Sequence, residues 1–184
     1  GWKHSKTIPI YKKGDKTSVS NYRPISCLPT ASKVLEKVVL TQLQDFFESN
    51  KLLPQGQHGF RTGRSTTTVV ASMVAEWSRN HDADLTTGVL LWDLSSAFDT
   101  IDVDILCKKL SLYGARTKTI GWFRSFLTGR LQRVQVGNSI SRPAEVSVGC
   151  PQGSLLSPLL VLIYLADIEL WVQHSQIHGY ADDT

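Results

Sequence analysis

Residues 149–165 read GCPQGSLLSPLLVLIYL, a loop bracketed by two glycines that runs straight into a stretch apolar on nearly every side. Gly149 and Gly153 permit tight backbone approach, and Pro151 fixes the bend between them. Ser157 is placed as a helix cap with Pro158 in the first turn. A helix without a polar face must be buried, so this segment predicts the centre of a core with a tight loop at its mouth.

Working outward, RVQVGNSISRPAEVSV (133–148) reads as a hairpin: Val134 and Val136 alternate, Gly137-Asn138 turns, and Val146 and Val148 return. Ile177–Tyr180 predicts a last strand that delivers the adjacent acids Asp182 and Asp183. Neighbouring carboxylates repel and are tolerated on a solvated turn, or used where a turn presents them to a cation. Upstream, TGVLLWDL (Thr87–Leu94) reads as a short buried strand that ends on Asp93, with Asp99 and Asp102 following. Such strand-end acids are either solvated caps or ligands for a hard cation, for which Mg2+ suits carboxylate oxygen.

Helical spacing places Leu35, Val38, Val39, Leu43, Phe46 and Phe47 on one face of a helix over Ser32–Phe47. A second helix follows Ser65, a third covers Asp104–Tyr113 and stops at Gly114, and a fourth covers Ile120–Leu127. Residues 1–30 are expected to be irregular to extended. Helices followed by interleaved strands and helices predict an α+β, or mixed α/β, architecture.

Hydrophobic residues at 41% and charged residues at 20% exclude a disordered chain. No apolar run reaches the ~18–20 residues of a membrane span, so no membrane partner is expected. Three widely spaced cysteines fit neither a disulfide framework nor a zinc site, which points to an intracellular, reducing setting. Residues 1–64 hold 11 Lys and Arg against 4 Asp and Glu, while the remainder holds 9 against 12. That division suits phosphate contact beside a cation-binding centre, and equally two ordinary solvated surfaces. A start without Met, and an end one residue after the acidic pair, lead us to expect an excerpt of a longer polypeptide.

Five segments occur in one order: NYRPISCLPTASKVLEKVV (21–39), QHGFRTGRST (57–66), DLSSAFDTID (93–102), GCPQGSLLSPLL (149–160) and YADD (180–183). Together they resemble the reverse transcriptases of non-LTR retrotransposons, of the LINE or jockey-like kind. The resemblance runs from about Ile8 to Thr184. It implies a right-hand polymerase, with fingers over residues 1–85 and an incomplete palm over 86–184. Within the palm span, residues 114–148 would pack with the fingers, an antiparallel palm sheet would rest on helices, and the thumb would be absent.

The implied activity is RNA-directed DNA polymerisation: transfer of dNTPs to a primer 3′-hydroxyl on an RNA template, at a DNA target. Asp93, Asp182 and Asp183 would be the catalytic, metal-holding acids, for Mg2+ with Mn2+ as a substitute. Phe98 would close the sugar site to a 2′-hydroxyl; otherwise it is a core residue. Gln152 and Gly153 would lie against the nucleotide, with Arg23 and Lys12 approaching its triphosphate. Arg61 and Arg64 would contact the template, or else form a basic loop ahead of a helix. Cys150, Ser96 and Val103 depart from residues common in relatives, none of them at a metal ligand.

This stretch alone is expected to be inactive, its acids lying at a chain end. A non-catalytic nucleic-acid-binding remnant and a group II intron-type maturase are the rival readings. The resemblance implies work on nuclear DNA, and no address signal separates nucleus from cytoplasm.

Overall fold

The computed structural model describes residues 2–94, 96–172 and 174–181. Its elements run in the order β1 (His4–Tyr11), β2 (Tyr22–Cys27), α1 (Thr30–Ser49), α2 (Thr66–Asp82), α3 (Val103–Leu112), α4 (Thr117–Leu127), β3 (Arg130–Val136), β4 (Ser139–Ile140), β5 (Ala144–Val146) and α5 (Ser157–Leu165). The mixed α/β class is as expected.

The core forms where the all-apolar segment predicted it. Leu159, Leu160, Val161, Leu162 and Ile163 of α5 are all buried, and α1, α3 and α4 close around them through Leu43, Phe47, Leu106, Leu110, Phe123 and Leu127. Each such side chain removed from water contributes about 1.5–3 kcal/mol. Phe47 of α1 meets Tyr113, at the end of α3, edge to face at 5.2 Å. Asp102 starts α3 by accepting the backbone N–H groups of Asp104 and Ile105 at 2.8 and 2.9 Å. Ser65 starts α2 through a reciprocal box with Thr68.

Residues 1–30 take the extended form within their expectation, paired in a way the sequence did not announce: β1 and β2 form an antiparallel ladder from Lys6↔Cys27 to Tyr11↔Tyr22. β1 then pairs in parallel with β3, His4 opposite Leu131, and β3 carries β4 and β5 on antiparallel ladders. The Gly137-Asn138 turn lies where it was read. The first residues and 130–146 therefore build one mixed sheet.

Two further expectations are corrected. Thr87–Leu94 is not a buried strand: Leu90 and Leu91 are 72% and 77% exposed. Apolar character shows that a segment seeks cover, not that a partner strand lies beside it. Here the run borders an open groove shared with Met73 and Trp77 of α2 and with Trp171. Ser157 is also not the cap of α5, for Leu156 holds that position. The Ser154 hydroxyl accepts from the Leu156 and Ser157 amides at 3.1 and 3.3 Å, and the Ser157 hydroxyl donates to the Pro151 carbonyl at 3.0 Å.

One buried acid joins these parts. Glu36, on α1, is 1% exposed. Its Oε1 accepts from the Ser32 hydroxyl at 2.8 Å, and its Oε2 accepts from the Ser154 hydroxyl at 2.7 Å and the Leu155 amide at 2.8 Å. The helix thereby holds the loop in front of α5. Removing the carboxylate strands two buried hydroxyls and the Leu155 amide. Glu36→Ala is expected to lose on the order of 3 kcal/mol in chemical denaturation. Glu36→Gln is expected to lose less than half of that, because Ser32 can reverse its hydroxyl and accept.

The thiols report the same packing. Cys27 is exposed, whereas Cys107 and Cys150 are buried. Burial holds the Cys107 thiol above its usual range and pushes Cys150 up to about 12. A disulfide reagent at pH 8 is expected to label Cys27 alone in the folded chain, and all three cysteines after denaturation. Rapid native labelling of Cys150 would contradict the closed loop.

Candidate functional site

The acids after the exposed run have three different surroundings. Asp102 is spent as the cap of α3. Asp99 accepts two hydrogen bonds from the Gln152 carboxamide, at 2.9 and 2.7 Å. Asp93 is exposed. Its expected companions Asp182 and Asp183 lie outside the described residues. Among the described residues, no three His, Cys, Asp or Glu side chains converge as a metal group.

Gln152 reaches Asp99 because two distant loops are joined by their backbones. The Cys150 amide donates to the Phe98 carbonyl at 2.7 Å, and the Gly149 amide to the Ile101 carbonyl at 2.8 Å. The Ser26 amide of β2 donates to the Gln152 carbonyl at 2.7 Å. Gly153 has φ +126° and passes so close to β2 that a Cβ would stand 2.3 Å from the Ser26 carbonyl oxygen. Only glycine fits both demands. The strand that carries Arg23 is thus seated on the loop that carries Gln152. Arg23 and Lys12 are both exposed, Arg23 in register with Ile10 and Lys12 bonded through its amide to the Asn21 carbonyl at 2.9 Å.

Phe98 is half-buried against the core. Its outer side meets Phe60 edge to face, ring centroids 6.5 Å apart. Phe60 belongs to the loop PQGQHGF (54–60), which also meets the approach to the acidic pair. The His58 amide donates to the Gly179 carbonyl at 2.7 Å and the Gly179 amide to the Gly56 carbonyl at 3.0 Å, a parallel bridge. A Cβ on Gly56 would lie 1.8 Å from the Ile177 oxygen, and one on Gly59 would lie 2.0 Å from the Ala181 nitrogen. His178 is held by Glu76 of α2 at 2.7 Å.

Arg61 and Arg64 are both engaged within the chain. Arg61 is buried and grips Glu48 bidentately at 2.8 and 2.6 Å, while its Nη1 donates to the Pro54 and Gln57 carbonyls at 2.6 and 3.3 Å. This pairing holds the Glu48 carboxyl below the usual carboxylate range. Arg64 donates to the Gln55 carbonyl and, at 3.2 Å, to that of Gln57. Burial, with Arg61 beside it, lowers the Arg64 pKa, Glu48 opposing the shift. Backbone carbonyls accept from guanidinium as phosphate oxygens do, though less strongly, and composition does not separate the two uses.

Sequence reading passed over Glu36, Gln57, Phe60 and the role of Asp99. One signal was available: two glycines three apart in PQGQHGF mark a place where another backbone approaches closely.

The family model described as reverse transcriptase (RNA-dependent DNA polymerase) matches residues 10–184. The chain is 34% identical over 169 residues to the probable RNA-directed DNA polymerase from transposon BS of Drosophila melanogaster, a match covering 91% of this chain and 18% of that protein. It is 31% identical over 195 residues to the RNA-directed DNA polymerase from mobile element jockey of the same species, covering 100% of this chain and 21% of the relative. The chain spans about a fifth of the length of these curated relatives. Among solved structures, apo telomerase from Candida tropicalis, truncated from its C-terminal domain, shares the fold with a TM-score of 0.67 at 13% identity, over 99% of this chain and 43% of that one. With its ordered motifs and a model match over residues 10–184, this chain belongs to the reverse transcriptase (RNA-dependent DNA polymerase) family.

Proposed function

We propose that these residues form the fingers and most of the palm of a non-LTR retrotransposon reverse transcriptase, which extends a DNA primer with dNTPs on an RNA template. One observation carries the reading. Segments far apart in the chain meet at one place, with Gln152 on Asp99, the 149–150 amides on the Phe98 turn, and β2 on the Gln152 loop.

Asp93 fits a divalent-metal role: its carboxylate is exposed, with no hydrogen-bond or ion-pair partner among the described residues, and its oxygens are hard donors that suit Mg2+ or Mn2+. Asp93, Asp182 and Asp183 would hold the ion, which when bound supplies charge stabilisation at the attacked phosphate and activation of the primer hydroxyl. The chain's own groups select and orient. The Phe98 ring, fixed from behind by the core and from the side by Phe60, leaves no space for a 2′-hydroxyl. Gln152, anchored through Asp99, lines the nucleotide site beside Gly153. Arg23 and Lys12, exposed along one side of the β1–β2 ladder, are available for the triphosphate oxygens. Arg61 and Arg64 brace the adjoining loop.

In the polypeptide that contains this chain, dTTP incorporation on poly(rA)–oligo(dT) is expected to fall by on the order of 10³-fold in both Asp93→Ala and Asp182→Ala. Residues 1–184 alone are expected to incorporate no more than their Asp93→Ala control. Full incorporation by either mutant would remove the metal role, and salt-sensitive RNA binding as the sole surviving activity would favour a binding remnant. Phe98→Ala is expected to shift the preference for dTTP over UTP toward the ribonucleotide by a factor on the order of 10–100, read from competing incorporation. An unchanged ratio would return Phe98 to the core.

A further inference from the structure

Gln57 makes contacts that nothing in the family reading above assigns. Its Oε1 accepts from the Gly59 amide at 2.7 Å and the Ala181 amide at 3.0 Å, while its Nε2 donates to the Ala181 carbonyl at 3.0 Å. One side chain thus brackets both backbone groups of a single residue, as a neighbouring strand would. That residue directly precedes Asp182 in the chain. We infer that Gln57 is a positioning residue for the metal-binding carboxylate Asp182, acting through the backbone of Ala181.

Two independent observations agree. First, Ala181 is buried with φ +63°, a left-handed backbone that a non-glycine residue adopts at a cost of about 1–3 kcal/mol unless its surroundings dictate it. The paired contacts from Gln57 supply that dictation. Among the described residues, Lys51 and Asp84 share this backbone just past the ends of α1 and α2, and Phe60 (φ +54°) and Ser96 (φ +58°) share it within loops, one touching Phe98 and the other starting its turn. Past a helix end such a backbone is an ordinary stop, whereas at Ala181 it is held by the contacts of Gln57.

Second, Gln57 is itself fixed from behind. Its carbonyl accepts from both Arg61 and Arg64, and Arg61 is locked on Glu48. A side chain that only filled space would need no such brace. The path runs from the Glu48–Arg61 pair through Gln57 to Ala181, and Phe60 at the far end of the loop steadies Phe98. One brace therefore serves both the acid and the sugar gate.

The inference rests on the metal reading of Asp93 and Asp182, and the test separates the two. Gln57→Met keeps the volume of the side chain and removes its hydrogen bonds; Gln57→Ala serves as the second variant. Both are made in the full polypeptide and read three ways: Mn2+ affinity without turnover, amide hydrogen exchange in a peptide covering 176–181, and kcat against KM for dTTP. Asp93→Ala is the control.

Gln57→Met is expected to weaken Mn2+ binding by about 10-fold and to lower kcat by about 10–100-fold, with KM changed less than about 3-fold. Exchange at the Ala181 amide is expected to quicken. Mn2+ affinity and kcat within about twofold of the parent, with only a lower melting temperature, would overturn the inference and leave Gln57 a structural bracket. Undiminished Mn2+ binding in Asp93→Ala would overturn the metal reading, and the inference with it. Loss of binding in Asp93→Ala beside unchanged binding in Gln57→Met would overturn the inference alone.

Discussion

A single buried carboxylate sets the spacing of this fold. Glu36 stands where α1, the loop 149–155 and the start of α5 meet, and placing an acid there costs several kcal/mol unless it is fully hydrogen-bonded. Two hydroxyls and a backbone amide satisfy it. The amide belongs to the residues that open α5, so the negative group also sits at the positive end of that helix. Burial lowers the pKa of Arg130, at the head of β3, while the charge of Glu36 opposes that shift. The acid thereby reaches the sheet electrostatically as well as the loop by contact. Without this joint, α1 and α5 would still be apolar on their facing sides, but α1 would lose its hydrogen bonds to the loop.

Around that joint, two loops do related work with different chemistry. The 149–155 loop is held by backbone amides, by Ser154 and by Glu36, and presents Gln152. The 54–61 loop is held by guanidinium groups on carbonyls, and presents Gln57 and Phe60. The basic first third of the chain is therefore not a uniform phosphate-seeking surface. Part of its charge is consumed as internal struts, and Lys12 and Arg23 on the β1–β2 ladder belong to its outward-facing share.

The helices were legible because their signals are local: apolar spacing along α1, Ser65 ahead of α2, and the uninterrupted run of α5. The Gly137-Asn138 hairpin was legible for the same reason. β1 was not, because its partner β3 lies more than a hundred residues away and nothing in HSKTIPIY announces a parallel neighbour. The 87–94 run misled in the opposite sense, its composition demanding cover that the described residues do not provide. Glu36 hid within LEKVV, where a charged residue in a helix reads as a solvated face. Asp93 and Phe98 stood out through family motifs, whereas Gln57 is visible only once Ala181 is placed beside it. The family model confirms the motifs' membership, and the roles of single residues rest on the contacts described above.

The parallel pairing of β1 with β3 also bears on how the chain is made. A ribosome releases β1 and β2 first, and they can form their hairpin at once. The outer edge of β1 then waits, unpaired, until residues 131–134 have emerged. An open strand edge is a template for joining another chain. Long-range parallel pairing is also slow to form, since loop closure precedes its reward. Lys3 and Lys6 stand along that waiting edge, and charge of this kind discourages edge-to-edge association. The charge that reads in the sequence as a nucleic-acid surface is thus also of the kind that keeps an unpaired strand edge from joining another.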